Sequence, residues 1–102
     1  MIRIAICDDE KKILDEVEGY IKNYAEKENI ADIEIFRFDS ARSLLSALED
    51  GKTFDVFVLD VYIGDEMGTA LASDIRKFGI ESPIIFATTS IEHAPQSYET
   101  GT

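Results

Sequence analysis

The 102-residue chain has no tryptophan, one cysteine, one histidine and two prolines. A lone cysteine, Cys7, forms no internal disulfide, so packing alone must hold the fold; at a strand end it reads as a small buried apolar side chain. His93 has no second nitrogen ligand, which excludes an imidazole-based metal centre. Basic residues are scarce: 10 against 21 acidic ones, for a net charge of −11. That balance argues against a nucleic-acid surface and equally against an anionic membrane surface. No apolar run is long enough to span a bilayer, and the N-terminal one is too short for a signal peptide. Repeats, linkers and low-complexity tracts are absent. The expectation is a single cytoplasmic domain over residues 1–102.

What is present is a 45% hydrophobic content arranged in short runs. Residues 55–60, Asp-Val-Phe-Val-Leu-Asp, form the organising one. Four consecutive apolar residues, two of them β-branched, predict a strand buried on both faces of a parallel sheet. It stops at Asp60. Within residues 1–7, Ile2, Ile4 and Ile6 alternate with Arg3, Ala5 and Cys7, and the run leads into Asp8-Asp9. Ile33, Ile35, Phe36 and Phe38 predict a further strand, and Pro83 opens another that leads to Thr88.

Helical patterns separate these strands. Ile13, Val17, Tyr20, Ile21 and Tyr24 share one face of a first helix, with Asp8 or Asp9 as its cap and Asn29 at its end. Ser40 predicts the N-cap of a second, with Leu44, Leu45 and Leu48 inward and Asp50-Gly51 closing it. After a loop over residues 61–66, Gly68 turns into a third helix with Met67, Leu71, Ile75 and Phe78 as its apolar stripe. Gly79 stops it, and a short fourth helix is predicted over residues 91–99, around Pro95.

Strand and helix alternating four times force parallel strands and right-handed crossovers. Doubling back after the first unit makes the first, third and fourth strands neighbours. Their carboxyl ends then bring Asp8, Asp9, Asp60 and Thr88 to one crevice, where open α/β sheets place their chemistry. Three carboxylates together repel unless protons or a cation compensate. Oxygen-only ligands select a hard cation, and magnesium suits carboxylates that also receive a phosphate oxygen.

The order Ile6-Cys7-Asp8-Asp9-Glu10, Val58-Leu59-Asp60, Gly68, then Pro83 with Thr88 resembles a bacterial two-component response-regulator receiver domain. The opening ten residues most resemble receivers attached to LytTR-type DNA-binding domains. The resemblance implies a flavodoxin-like (CheY-like) doubly wound sheet of order 2-1-3-4, with the family's usual fifth strand and helix absent from these 102 residues. It implies that Asp60 accepts a phosphoryl group from a sensor histidine kinase and that the domain switches an output, in transcription. Asp9, Asp60 and the main-chain carbonyl of Tyr62 would bind Mg²⁺ directly, and Asp8 through a water. The Thr88 hydroxyl would bond the new phosphoryl group. Such a domain is a signalling element that catalyses only its own aspartate phosphorylation and dephosphorylation.

Gly64 stands where the family commonly has proline, and the family's last-strand lysine and aromatic switch residue have no counterpart. A flavin protein needs a hydroxyl- and glycine-rich phosphate loop where this chain has Asp8-Asp9-Glu10, which would repel a phosphate. A phosphatase with an Asp-x-Asp nucleophile is disfavoured by Tyr62 at the second position. The remaining alternative is a receiver-like protein-interaction module without productive phosphotransfer. With no fifth strand or helix, residues 84–87 form a sheet edge and the sheet face beside the first helix is left partly bare. A homodimer is expected to cover it.

Overall fold

The computed structural model describes residues 1–63 and 66–87. Gly64, Thr88 and the helix predicted over residues 91–99 lie outside the described residues. Strand β1 (Ile2–Cys7) is followed by helix α1 (Lys11–Lys27), β2 (Ile33–Phe38), α2 (Ala41–Glu49) and β3 (Val56–Leu59). Two-residue strands β4 (Tyr62–Ile63) and β5 (Glu66–Met67) then precede α3 (Gly68–Lys77) and β6 (Ile84–Phe86). The main sheet is parallel, with order β2-β1-β3-β6, which is 2-1-3-4 among its own four strands. The expected doubly wound α/β fold is the one found.

Alternation along the strands divides the core in two. Ala5, Cys7, Phe57 and Leu59 face α2 and α3, packed with Leu44, Leu48, Leu71 and Ile75. Phe54 joins this layer edge-on to Phe57, Phe36 and Phe38, with ring centroids 5.3–5.7 Å apart. Ile4 and Ile6 face the other way and meet Leu14 of α1, with Val17, Ile21, Val56 and Val58 around them. Ile4 and Ile6 are dry, whereas Val56 and Val58 are half-buried, so the partial exposure expected of this face falls on β3.

Several sequence expectations need correction. In α1 the buried residues are Leu14 and Ala25, whereas Tyr20 and Tyr24 are 75% and 63% exposed. A phenol ring carries a polar tip that favours water, and the true stripe runs 14, 17, 21, 25. Met67 and Phe78 flank α3 and are exposed; only Leu71 and Ile75 of the predicted stripe are buried. The segment after Asp60 is no plain loop: β4 and β5 pair antiparallel, Tyr62 opposite Met67. Neither Asp8 nor Asp9 caps α1, whose N-cap is Glu10 with no side-chain bond. Asp8 instead accepts the Glu10 N–H at 2.9 Å, which holds the strand-to-helix turn.

Helix ends otherwise follow the expected chemistry. Asn29 and Gly79 take positive φ (58° and 79°) beyond the ends of α1 and α3. The Ser40 hydroxyl accepts the Ser43 N–H at 3.1 Å, and Ser43 Oγ accepts the Ser40 N–H at 3.3 Å, completing a reciprocal cap. Ser40→Ala is expected to cost about 1 kcal/mol. Urea unfolding at an unchanged midpoint would show that the cap contributes nothing.

Candidate functional site

Parallel pairing of β1 with β3 sets Ile6 beside Val58 and Cys7 beside Leu59. One step further, the two strands end in Asp8 and Asp60. Main-chain bonds fix these ends: Asp8 N–H donates to Phe38 at 3.0 Å, and Asp60 N–H to Cys7 at 3.2 Å. On the far side, Ala87 N–H donates to Leu59 at 2.8 Å, which brings the end of β6 to the same crevice. Asp8, Asp60 and Ala87 line one small space there, floored by Leu14 and Val17. Asp9 enters from the first turn beyond β1. One carboxylate oxygen from each of Asp8, Asp9 and Asp60 lies within 4.8 Å of the others.

The three acids differ in setting. Asp8 is 4% exposed, Asp60 is half-buried and Asp9 is open to solvent. Burial pushes the Asp8 carboxyl up to about 7, partly opposed by the Glu10 N–H and reinforced by the charges of Asp60 and Asp9. Burial also raises Asp60, against N–H donors from Val61 and Tyr62 and a bond from Asp8. The Val61 N–H donates to Asp60 Oδ1 at 2.8 Å. Among the described residues, no lysine or arginine is ion-paired with any of the three; the four ion pairs involve Asp15, Glu18 and Asp74. A carboxylate cluster with no cationic side chain is satisfied either by protons or by a cation.

The chemistry of the donor set fits a hard divalent ion. Every available ligand is oxygen, and the nearest sulfur is unsuitable. Burial raises the Cys7 thiol to about 12, with the surrounding aspartates adding to it, and Sγ–H donates to the Ser40 carbonyl at 3.4 Å. A neutral, internally bonded thiol is no ligand. Tyr62, from β4, is 50% exposed beside the crevice.

Gly68 acquires a role that the sequence pattern does not reveal. A Cβ there would lie 2.0 Å from the Asp60 carbonyl oxygen and 3.2 Å from Cε1 of Phe86. Its N–H donates to the Val61 carbonyl at 2.6 Å. The start of α3 is thus pressed onto the main chain that carries Asp60. The eight-residue spacing was visible in the sequence; the contact that demands glycine was not.

The chain matches the family described as the response regulator receiver domain over residues 4–101. It is 33% identical over 103 residues to the transcriptional regulatory protein CitT of Bacillus subtilis, covering 99% of this chain and 43% of that protein. To the sensory transduction protein LytT of Bacillus anthracis it is 27% identical, covering 97% of this chain and 38% of LytT. The chain therefore spans less than half the length of these curated relatives. Among solved structures, the receiver domain of the Francisella response regulator 1452 superposes with a TM-score of 0.64 at 23% identity. That match covers 100% of this chain and 79% of the Francisella one, and shows a shared fold. With strand order, acid cluster and sequence in agreement, the chain belongs to the response-regulator receiver domains of two-component systems, a family of signalling domains rather than enzymes in the ordinary sense.

Proposed function

We propose that Asp60 is the phosphoacceptor of this receiver and that Mg²⁺ is held by Asp9, Asp60 and the Tyr62 main-chain carbonyl, with Asp8 acting through water. The observation that carries this reading is the set of three carboxylates within 4.8 Å of one another, without a basic partner among the described residues. Asp60, the half-buried member just beyond the carboxyl end of β3, lines the crevice and would supply a carboxylate oxygen as nucleophile. In transfer from a sensor histidine kinase, a carboxylate oxygen of Asp60 forms a bond to phosphorus. The phosphorus–nitrogen bond of the phosphohistidine breaks, and the imidazole leaves with the electron pair. A bound magnesium ion supplies neutralisation of the phosphoryl charge. The N–H of Val61 orients the Asp60 carboxylate. Asp8 and Asp9 supply the anionic ligands that make a cation stable there.

The product adds about −1.5 to −2 charges at neutral pH. The Thr88 hydroxyl is the proposed reader of that charge, since β6 directs the chain toward the crevice through Ala87. The ring of Tyr62 shields the acyl phosphate from water. The signal passes to an output domain elsewhere in the protein, in keeping with the transcriptional role named for CitT. A cytoplasmic setting follows from a kinase partner of this kind; no helix among the described residues is long and apolar enough to cross a membrane.

Acetyl phosphate with magnesium, read by intact mass, tests the proposal. Wild type is expected to gain one phosphoryl group, which Asp60→Asn does not. Equal gain in the mutant would move the acceptor elsewhere. No gain in wild type would leave a receiver-shaped interaction module.

A further inference from the structure

Met67 belongs neither to the core nor to the acid cluster. It is 47% exposed, immediately ahead of α3, and lies opposite Tyr62 on the short β4–β5 ladder. The kind of opposition matters. The Gly68 N–H donates to the Val61 carbonyl, one step along the ladder from Tyr62 and Met67. Hydrogen-bonded and non-hydrogen-bonded pairs alternate in an antiparallel ladder, so Tyr62 and Met67 form a non-hydrogen-bonded pair. In such a pair the Cα atoms are about 4.5 Å apart, and the two side chains share one face and stand closest together. Ile63, next along β4, points to the other face and is buried in the core.

Both strands of this ladder are fixed to the main chain that carries Asp60. On one, the N–H groups of Val61 and Tyr62 donate to the Asp60 carboxylate. On the other, Gly68 sits where a Cβ would overlap the Asp60 carbonyl oxygen. A residue whose own N–H touches the carboxylate carries its side chain beside it. The Tyr62 ring is thus tethered next to the reacting oxygen, with Met67 as its direct cross-strand neighbour. An unbranched thioether packs favourably against an aromatic ring and adapts its shape to it.

We infer that Met67 is a positioning residue that holds the Tyr62 ring over the Asp60 carboxylate and so sets how long a phosphoryl group survives there. The inference rests on Asp60 as the phosphoacceptor and assigns the lifetime of the signal to a residue outside the acid cluster. Loss of the group is a hydrolysis. A water oxygen bonds to phosphorus, and the bond from phosphorus to the Asp60 oxygen breaks with its electron pair returning to the carboxylate. The water's protons leave with inorganic phosphate and to solvent. The ring slows this step by occupying the water's path, and Met67 acts only through the ring. A sulfur–aromatic contact biases a side-chain equilibrium by about two- to tenfold.

Wild type, Met67→Ala and Met67→Leu are phosphorylated with acetyl phosphate and magnesium, desalted, and followed by intact mass as the group is lost. Met67→Ala is expected to shorten the half-life by about two- to tenfold. Met67→Leu, which restores an apolar body, is expected to keep it near the wild-type value. In a Tyr62→Ala background, Met67→Ala should change nothing further, because the ring through which it acts is gone. A second measurement needs no phosphate. The chain has two methionines, Met1 and Met67, so methyl-labelled methionine gives a Met67 signal identified by its loss in Met67→Leu. That methyl should show a nuclear Overhauser contact to the Tyr62 ring. Absence of the contact overturns the inference, as do equal half-lives for wild type and Met67→Ala. A leucine variant as short-lived as the alanine one, or an undiminished effect of Met67→Ala without Tyr62, also overturns it. Failure of the phosphoacceptor assignment looks different: wild type takes up no phosphoryl group, or Asp60→Asn takes up as much, and the inference falls with it.

Discussion

Gly68→Ala is expected to destabilise the domain by about 3 kcal/mol or more, a loss reserved for substitutions that force a backbone clash. The added methyl would fall 2.0 Å from the Asp60 carbonyl oxygen and 3.1 Å from its carbon. These are main-chain atoms of the central strand's end, so no rotamer change relieves the overlap. Nor can the helix simply retreat, because the Gly68 N–H is bonded to the Val61 carbonyl at 2.6 Å. A built-in control exists in Gly19, within α1, where an added Cβ meets nothing within 4 Å. There alanine should stabilise by about 1 kcal/mol, through helix propensity alone. Urea denaturation of both variants reads the contrast directly. Equal midpoints for wild type and Gly68→Ala would mean that the end of β3 yields freely, and that glycine is not what keeps Asp60 in place.

A second large effect concerns protons and the cation. The Asp8 carboxyl moves from its ordinary 3.8 up to about 7 in the folded protein, chiefly through burial. The folded state therefore holds a proton there that the unfolded chain has already released. Stability from this group is fully present below the ordinary value and is lost as pH rises through about 7. The raised Asp60 acts in the same direction. In a chelator, the protein should thus be more stable at mildly acid pH than at alkaline pH. Magnesium should oppose this loss at alkaline pH, stabilising by about 2.7 kcal/mol when present at a hundred times its dissociation constant. Asp8→Asn, which carries no charge to expel, should flatten the profile recorded in chelator. Urea midpoints at several pH values measure this. Parallel profiles for wild type and Asp8→Asn would remove Asp8 as the source.

The fold was legible because its signals are local and strong. The apolar run ending at Asp60, the alternation of Ile2, Ile4 and Ile6, and the Ser40 cap each reflect a single element's own chemistry. Their order then leaves little freedom in a parallel sheet. The acid cluster was legible for the same reason, since strand register alone brings Asp8 beside Asp60. What escaped depends on tertiary surroundings. Tyr20 and Tyr24 match a helical stripe, yet whether a stripe is covered depends on what lies opposite. The β4–β5 pairing involves two residues on each side, too few for any periodicity to register. Gly68 could be seen as a turn residue but not as a point of contact, because its neighbour is a carbonyl eight positions away.

The strand order also governs how the protein comes into being. β1 sits in the interior of the sheet between β2 and β3. Its first partner, β2, follows one helix later, whereas its second arrives only after α2 as well. The Arg3 N–H bond to the Asp55 carboxylate at 2.8 Å already joins residues 52 positions apart. A nascent chain can therefore assemble β1, α1 and β2 as a local unit while one flank of β1 stays open. The crowding of Asp8, Asp9 and Asp60 does not yet exist at that stage. The closure entropy of the long loop and the mutual repulsion of the acids are met in the same event, when β3 slots into place. The mutual repulsion of the three acids thus arises only with the pairing of β3 to β1, the same pairing that buries Phe57 and Leu59.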